Sequence, residues 1–278
     1  MPTRSADSSI DLDGDGVSDN RFAYIVGLLG EYGIPVQVAF DNAVSGGRLL
    51  QLLQPRSYDA AFSNDPDALA FFLRAADQAS PMFNGAGAFE PSTSTSPDLI
   101  RMNLSGGVWV SGDPAHTRHP IGLQVPVVFG VPSLPVLTIA LAGARLRFSA
   151  TDTRADGEIQ GSIRSSDVTR FLLPYIDAAL NNAVRGDPNS PVSTRILMDF
   201  DVGGCMEIDG SSAKAHDGTV SPCELLSTPA ARDALSPDLQ IFRDKEGLTY
   251  GPVPGGIQKD SLSFGVGFSA VTARFEVK

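Results

Sequence analysis

Four carboxylates, Asp11, Asp13, Asp15 and Asp19, fall within the nine residues Asp11-Leu12-Asp13-Gly14-Asp15-Gly16-Val17-Ser18-Asp19, immediately before the first hydrophobic run of the chain. Held within about 5 Å of one another, such groups repel by several kcal/mol at reduced dielectric. A divalent cation turns that cost into binding. Calcium takes six to eight oxygens from carboxylates, carbonyls and water, in flexible geometry. The side chains of Asp11, Asp13, Asp15 and Asp19 and the carbonyl of Val17 are the candidate ligands, and Gly16 permits the turn between them. The competing reading is a solvated acidic tail that holds no ion.

The pattern D-x-D-G-D-G-x-x-D resembles the calcium loops of EF-hands, dockerins and thrombospondin type 3 repeats. Ligand positions 1, 3, 5, 7 and 9 of an EF-hand correspond to Asp11, Asp13, Asp15, Val17 and Asp19, with glycine at 6. The loop 11–22 departs at position 12, where an EF-hand places a bidentate Glu and this chain has Phe22. The remaining ligands must come from water or from another part of the fold. On this reading the ion docks the helix that begins at Asn20, so its job is structural.

Other candidates are weaker. The segment 213–224 has Asp217, Gly218, Ser221 and Glu224 at calcium-loop spacing, but alanine at its first and third positions, and Asp209 would lend a ligand if the loop 209–218 folds back. Ser221-Pro222-Cys223-Glu224 also reads as a capping box with proline at the first helical position, which needs no metal. Asp152, Asp156 and Glu158 fit a hairpin turn. His116 and His119 form H-x-x-H in a proline-rich loop, either a weak metal or catalytic pair or a plain surface loop. No nucleophile elbow and no phosphate-binding glycine loop occurs. Paired carboxylates distant in sequence remain open as hydrolytic groups.

These residues need a scaffold, and the bulk properties allow one. The 278 residues carry a net charge of -11, with Asp outnumbering Glu 25 to 7 and Arg outnumbering Lys 17 to 4. That balance argues against a nucleic-acid surface, which requires a basic footprint. Mean hydropathy is +0.01. The longest apolar stretch is broken by Pro135, Arg145 and Arg147, so no membrane span is expected. Cys205 and Cys223 point to one disulfide in an oxidising compartment or to two buried thiols. Residues 1–10 lack an apolar signal core and read as a disordered lead-in.

Apolar spacing at Phe22, Ile25, Val26, Leu29 and Tyr32 predicts a helix closed near Gly33, and the segment 34–47 reads as strand or helix, the helix preferred, with Pro35 at its first position and Gly46 as its stop. Short strands separated by Pro, Gly, Ser and Asp then run to a hairpin at 156–163. A helix capped by Ser165 or Ser166 comes next, and Pro174 inside the run predicts a kink or a late start near Leu173. Residues 194–202 read as a strand, and 260–277 as a strand with one apolar and one small face. The expected fold is α+β: an antiparallel, curved sheet covered by two or three amphipathic helices. It forms a single domain over 11–278, with a disulfide-closed excursion at about 203–240.

The layout as a whole resembles a group of uncharacterised secreted or lipid-anchored proteins of myxobacteria. The shared segments are "LDGDGVSDN", "GEIQGSI", "LLPYIDAALN", "DGTVSPCELL" and "SFGVGFSAVTARF". This implies an extracytoplasmic location and calcium binding, with no activity attached. Three functions stand at this point. The first is a non-enzymatic calcium-binding protein of the cell envelope or exterior, with a surface interaction or assembly role that engages a protein partner or further copies of itself. The second is a carrier of an apolar ligand between sheet and helices. The third is a hydrolase built from scattered carboxylates.

Overall fold

The computed structural model describes residues 11–93, 98–111, 122–131, 134–207, 209–244, 247–251 and 259–276. The expected lead-in over 1–10 lies outside them, as do His116 and His119 and part of the 91–98 loop.

A curled antiparallel sheet organises the chain. Its path is β1 (Gln51–Arg56), β2 (Asn64–Arg74), β4 (Asp98–Ser105), β5 (Val108–Ser111), β7 (Leu137–Ala150), β8 (Arg154–Arg164) and β11 (Ser261–Val271). A further strand, β6 (Leu123–Val127), pairs with the first part of β7, Leu123 opposite Leu141. The Gln124 N–H donates to Asp98 Oδ2 at 3.3 Å, which places β6 beside the start of β4. Pro126 has no N–H to leave unpaired, so β6 ends its side of the ladder cheaply. Two small additions are β3 (Ala88–Phe89), parallel to β12 (Arg274–Phe275), and the hairpin of β9 (Ile241–Asp244) with β10 (Gly247–Tyr250).

Helices close one side. They are α1 (Arg21–Glu31), α2 (Val36–Ser45), α3 (Ser165–Asp167), α4 (Leu173–Gly186), α5 (Pro191–Phe200), α6 (Pro222–Ser227) and α7 (Pro229–Ala234). One continuous apolar core joins them to the sheet, from Phe22 and Ile25 through Trp109 and Phe148 to Phe264. Trp109 stacks on Phe148 at 5.4 Å, and Phe22 of α1 meets Phe264 of β11 at 4.7 Å.

The α+β layout therefore agrees with the sequence, while several details do not. Residues 191–200 form α5, not a strand. Ser190 caps it by accepting from the Ser193 N–H at 3.1 Å, and Pro191 takes the first turn. Ile196 and Phe200, four apart, are buried, whereas Met198 is 73% exposed, so the period is helical. The late start near Leu173 is present, since α4 begins there, although the run from 165 to 186 is helical throughout. It passes through a π turn at Val168–Leu172, in which the Leu173 N–H reaches the Val168 carbonyl five residues back. Proline lacks the N–H that would bond four residues back, and the wider turn absorbs that loss. No serine side chain caps the start: Arg164 holds that position, and the Ser165 hydroxyl donates to the Asp260 carbonyl at 2.6 Å. Pro35 is the cap residue of α2 rather than its first helical residue. Helices are more numerous than two or three. Finally, β11 is buried on both faces over 261–265, because other segments cover its edge there.

Candidate metal centre

The acidic loop folds on its own carboxylates. Asp11 Oδ1 accepts from the Gly14 and Asp15 N–H groups at 2.6 and 3.0 Å, and its Oδ2 accepts from the Gly16 N–H at 2.8 Å. Asp13 Oδ1 accepts from the Asp15 N–H at 3.1 Å, and Asp15 Oδ1 from the Val17 N–H at 2.8 Å. Gly14 and Gly16 take φ of 80° and 85°, which a side chain would resist. The result brings one carboxylate oxygen from each of Asp11, Asp13 and Asp15 within 4.8 Å of one another. Asp19 is turned inward instead, accepting from the Leu12 N–H at 2.6 Å. Val17 stands at the rim, 63% exposed. Phe22, at the position of the missing glutamate, is a core residue.

Leu12 and α1 set where this loop sits. Leu12 is buried with Leu239 and Tyr250. Asn20 caps α1 by accepting from the Ala23 N–H at 3.1 Å, and its Nδ2 donates to the Gly265 carbonyl at 3.2 Å. The Arg21 N–H donates to Ser263 Oγ at 2.8 Å, and the Ser263 hydroxyl donates to the Asp238 carboxylate. The loop is thus clamped to the edge of β11.

Arg145 lies beneath it. It follows Gly143, whose φ is 59°, at the irregularity where β7 shifts register against β8. Its guanidinium donates to the Leu12 carbonyl at 3.5 Å, lies 5.6 Å from the Tyr250 ring centre, and attracts Asp11 and Asp19. Burial pushes the Asp19 carboxyl up to about 6, with repulsion from Asp13 and Asp238 adding and the Leu12 N–H opposing. Burial also raises Asp13, helped by Asp15 and Asp11 and countered by Lys259. The Gly16 N–H holds Asp11 below the usual carboxylate range.

Among the described residues, the carboxylates of the second loop turn to separate partners and do not gather at one point. Ser221 and Glu224 form the capping box, and Glu224 Oε1 also accepts from the Gly203 N–H at 2.7 Å. Asp217 turns to the Thr219 hydroxyl at 2.6 Å, and Asp209 to the Ser211 hydroxyl at 2.6 Å. Cys205 and Cys223 are joined in a disulfide, so neither offers a thiolate to a metal beside Glu207. In the hairpin, Asp156 pairs with Arg154 at 2.6 Å and Glu158 lies 4.0 Å from Arg147.

Two further features bear on function. Burial, then repulsion from Glu207 and Glu224, pushes the Asp177 carboxyl up to about 6, although Asn181 Nδ2 donates to it at 2.8 Å. Asp177 lines neither of two small cavities. Each of these holds about 20 Å³, and the apolar one lies among α1, α4, α5, α6 and α7. Such a volume holds about one water molecule.

Comparison of the chain with protein-family models, with curated proteins and with solved structures gives no match.

Proposed function

We infer that the chain is a non-enzymatic, extracytoplasmic protein that binds calcium in the loop 11–22, with a role in surface interaction or assembly. Asp11, Asp13 and Asp15 would hold the ion through their converging oxygens, the Val17 carbonyl and Asp19 would complete the protein's share, and water would supply the rest. The ion would screen the carboxylates and so hold the start of α1 on the β11 edge.

The observation that carries this reading is convergence in a folded loop: one carboxylate oxygen from each of Asp11, Asp13 and Asp15 lies within 4.8 Å of the others, on a loop turned at Gly14 and Gly16. A set made wholly of oxygens favours calcium over zinc or copper. The Cys205–Cys223 disulfide supports an oxidising compartment.

Titration calorimetry with calcium, alongside melting curves in calcium and in excess chelator, tests the reading. Binding of one ion and a melting temperature several degrees lower in chelator are expected, since an ion present at about 100 times its dissociation constant adds about 2.7 kcal/mol. In Asp13→Asn both the heat and the calcium-dependent shift should shrink. An unchanged melt in chelator refutes calcium binding.

A further inference from the structure

We propose that the uncovered half of the β11 edge pairs two copies of this chain into an antiparallel, two-fold dimer. The proposal goes beyond calcium binding and does not depend on it.

β11 ends its side of the sheet, and its residues alternate in the direction of their main-chain groups. Ser261 exchanges bonds with Leu239 at 3.0 Å both ways, the Ser263 N–H goes to Asp238 at 2.7 Å, and the Gly265 carbonyl accepts from Asn20. Odd-numbered residues therefore face outward, while the Thr272 N–H returns inward to Thr153 at 3.1 Å. Beyond the covered part, three outward residues remain, Gly267, Ser269 and Val271. All three are exposed, and their outward N–H and C=O groups have no partner among the described residues.

This set is its own complement. With Ser269 opposite Ser269 of a second copy, Gly267 faces Val271 at both ends. Directly opposed outward residues exchange both bonds in an antiparallel ladder, so every one of these N–H and C=O groups is satisfied. On the core-side face, half-buried Phe268 would sit opposite Ala270 of the other copy. The chain leaves the strand after Val271 to join β3, so the incoming strand stops before the stretch that Asn20 covers.

The match between where the strand ends and where the free edge ends points to a second copy as the occupant, and charge confines the contact to this edge. With a net charge of -11, two copies repel over most orientations. Residues 261–273 contain no ionisable side chain, and on β8 beside them Arg154 and Asp156 neutralise each other at 2.6 Å. Solvated edges are ordinarily blunted by lysine, proline or a bulge. The first half of β11 is covered by Asn20, Asp238 and Leu239, and the second half carries no such device.

Sedimentation velocity across a micromolar concentration series in calcium buffer reads the association directly. A species of twice the 29.2 kDa chain mass is expected to grow with concentration. Ser269→Pro removes an outward N–H and leaves the main-chain ladder with β8, giving up the Ser269 hydroxyl's contacts with Asp156 and Arg154 at 2.6 and 3.2 Å, and it should weaken the dimer about 10-fold or more. If that variant fails to fold, hydrogen exchange on the unaltered chain decides. The Gly267, Ser269 and Val271 amides should gain protection as concentration rises. A chain that stays monomeric throughout, a dimer indifferent to Ser269→Pro, or a dimer whose three amides stay unprotected each overturns the proposal.

Discussion

Leu12 stands between two aspartates, yet it is buried against Leu239 and Tyr250 and fixes where the acidic loop lies. The convergence of Asp11, Asp13 and Asp15 is legible in the sequence because alternate spacing on a glycine-rich turn brings their oxygens together. Leu12 is not, since one apolar residue among acids has no period to betray it. Arg145 is not either, being 133 positions away and delivered by a register shift in β7. Asp177 is another residue whose chemistry depends on packing, and its titration is open to test. Its folded value of about 6 lies above the ordinary aspartate value of 3.8, so the native state binds the proton more tightly than the unfolded chain. Its contribution to stability is therefore full below about 4 and is lost as pH rises through 6. Asp177→Asn keeps an acceptor for Asn181 and removes the buried charge. Denaturant unfolding should find the variant about 1 kcal/mol more stable at pH 7, a figure reduced for partial exposure, and level with the parent at pH 4. A variant that is less stable at both values would refute the assignment.

At the scale of elements, the sequence is clearest where Gly, Pro and Asp punctuate it, as around β7, β8 and α1. It is least clear where two periods coincide. Ile196, Met198 and Phe200 alternate like a strand, and Ile196 with Phe200 also repeats like a helix. Ser190-Pro191 resolves the ambiguity, because a serine cap followed by proline commits the next turn to a helix. The same logic explains the π turn: Pro174 withholds one N–H, and the helix widens around it instead of breaking. Ser190→Ala should cost about 1 kcal/mol in urea unfolding, and Ser190→Asp should restore it. An alanine variant as stable as the parent would argue that the cap bond contributes nothing to α5.

For the whole molecule, the class of fold follows from composition and turn spacing, but strand order does not. β8 pairs with β11 across all the helices from α3 to α7, a contact that no local pattern encodes. Two cross-links then constrain the chain at different places. The disulfide closes the excursion beside α4, where Asn181 grips Val220 through both its N–H and its carbonyl at 2.9 and 2.7 Å. The proposed ion would act on the loop held by Leu239, Tyr250 and Arg145, and no residue belongs to both sets. Reduction should cost about 3 kcal/mol for a loop of 18 residues. If the two regions are independent, chelator and reductant applied together should lower stability by the sum of their separate effects, to within about 0.5 kcal/mol. A joint loss well short of that sum would mean that one treatment already releases the region the other constrains, so that the acidic loop and the cysteine excursion open as one unit.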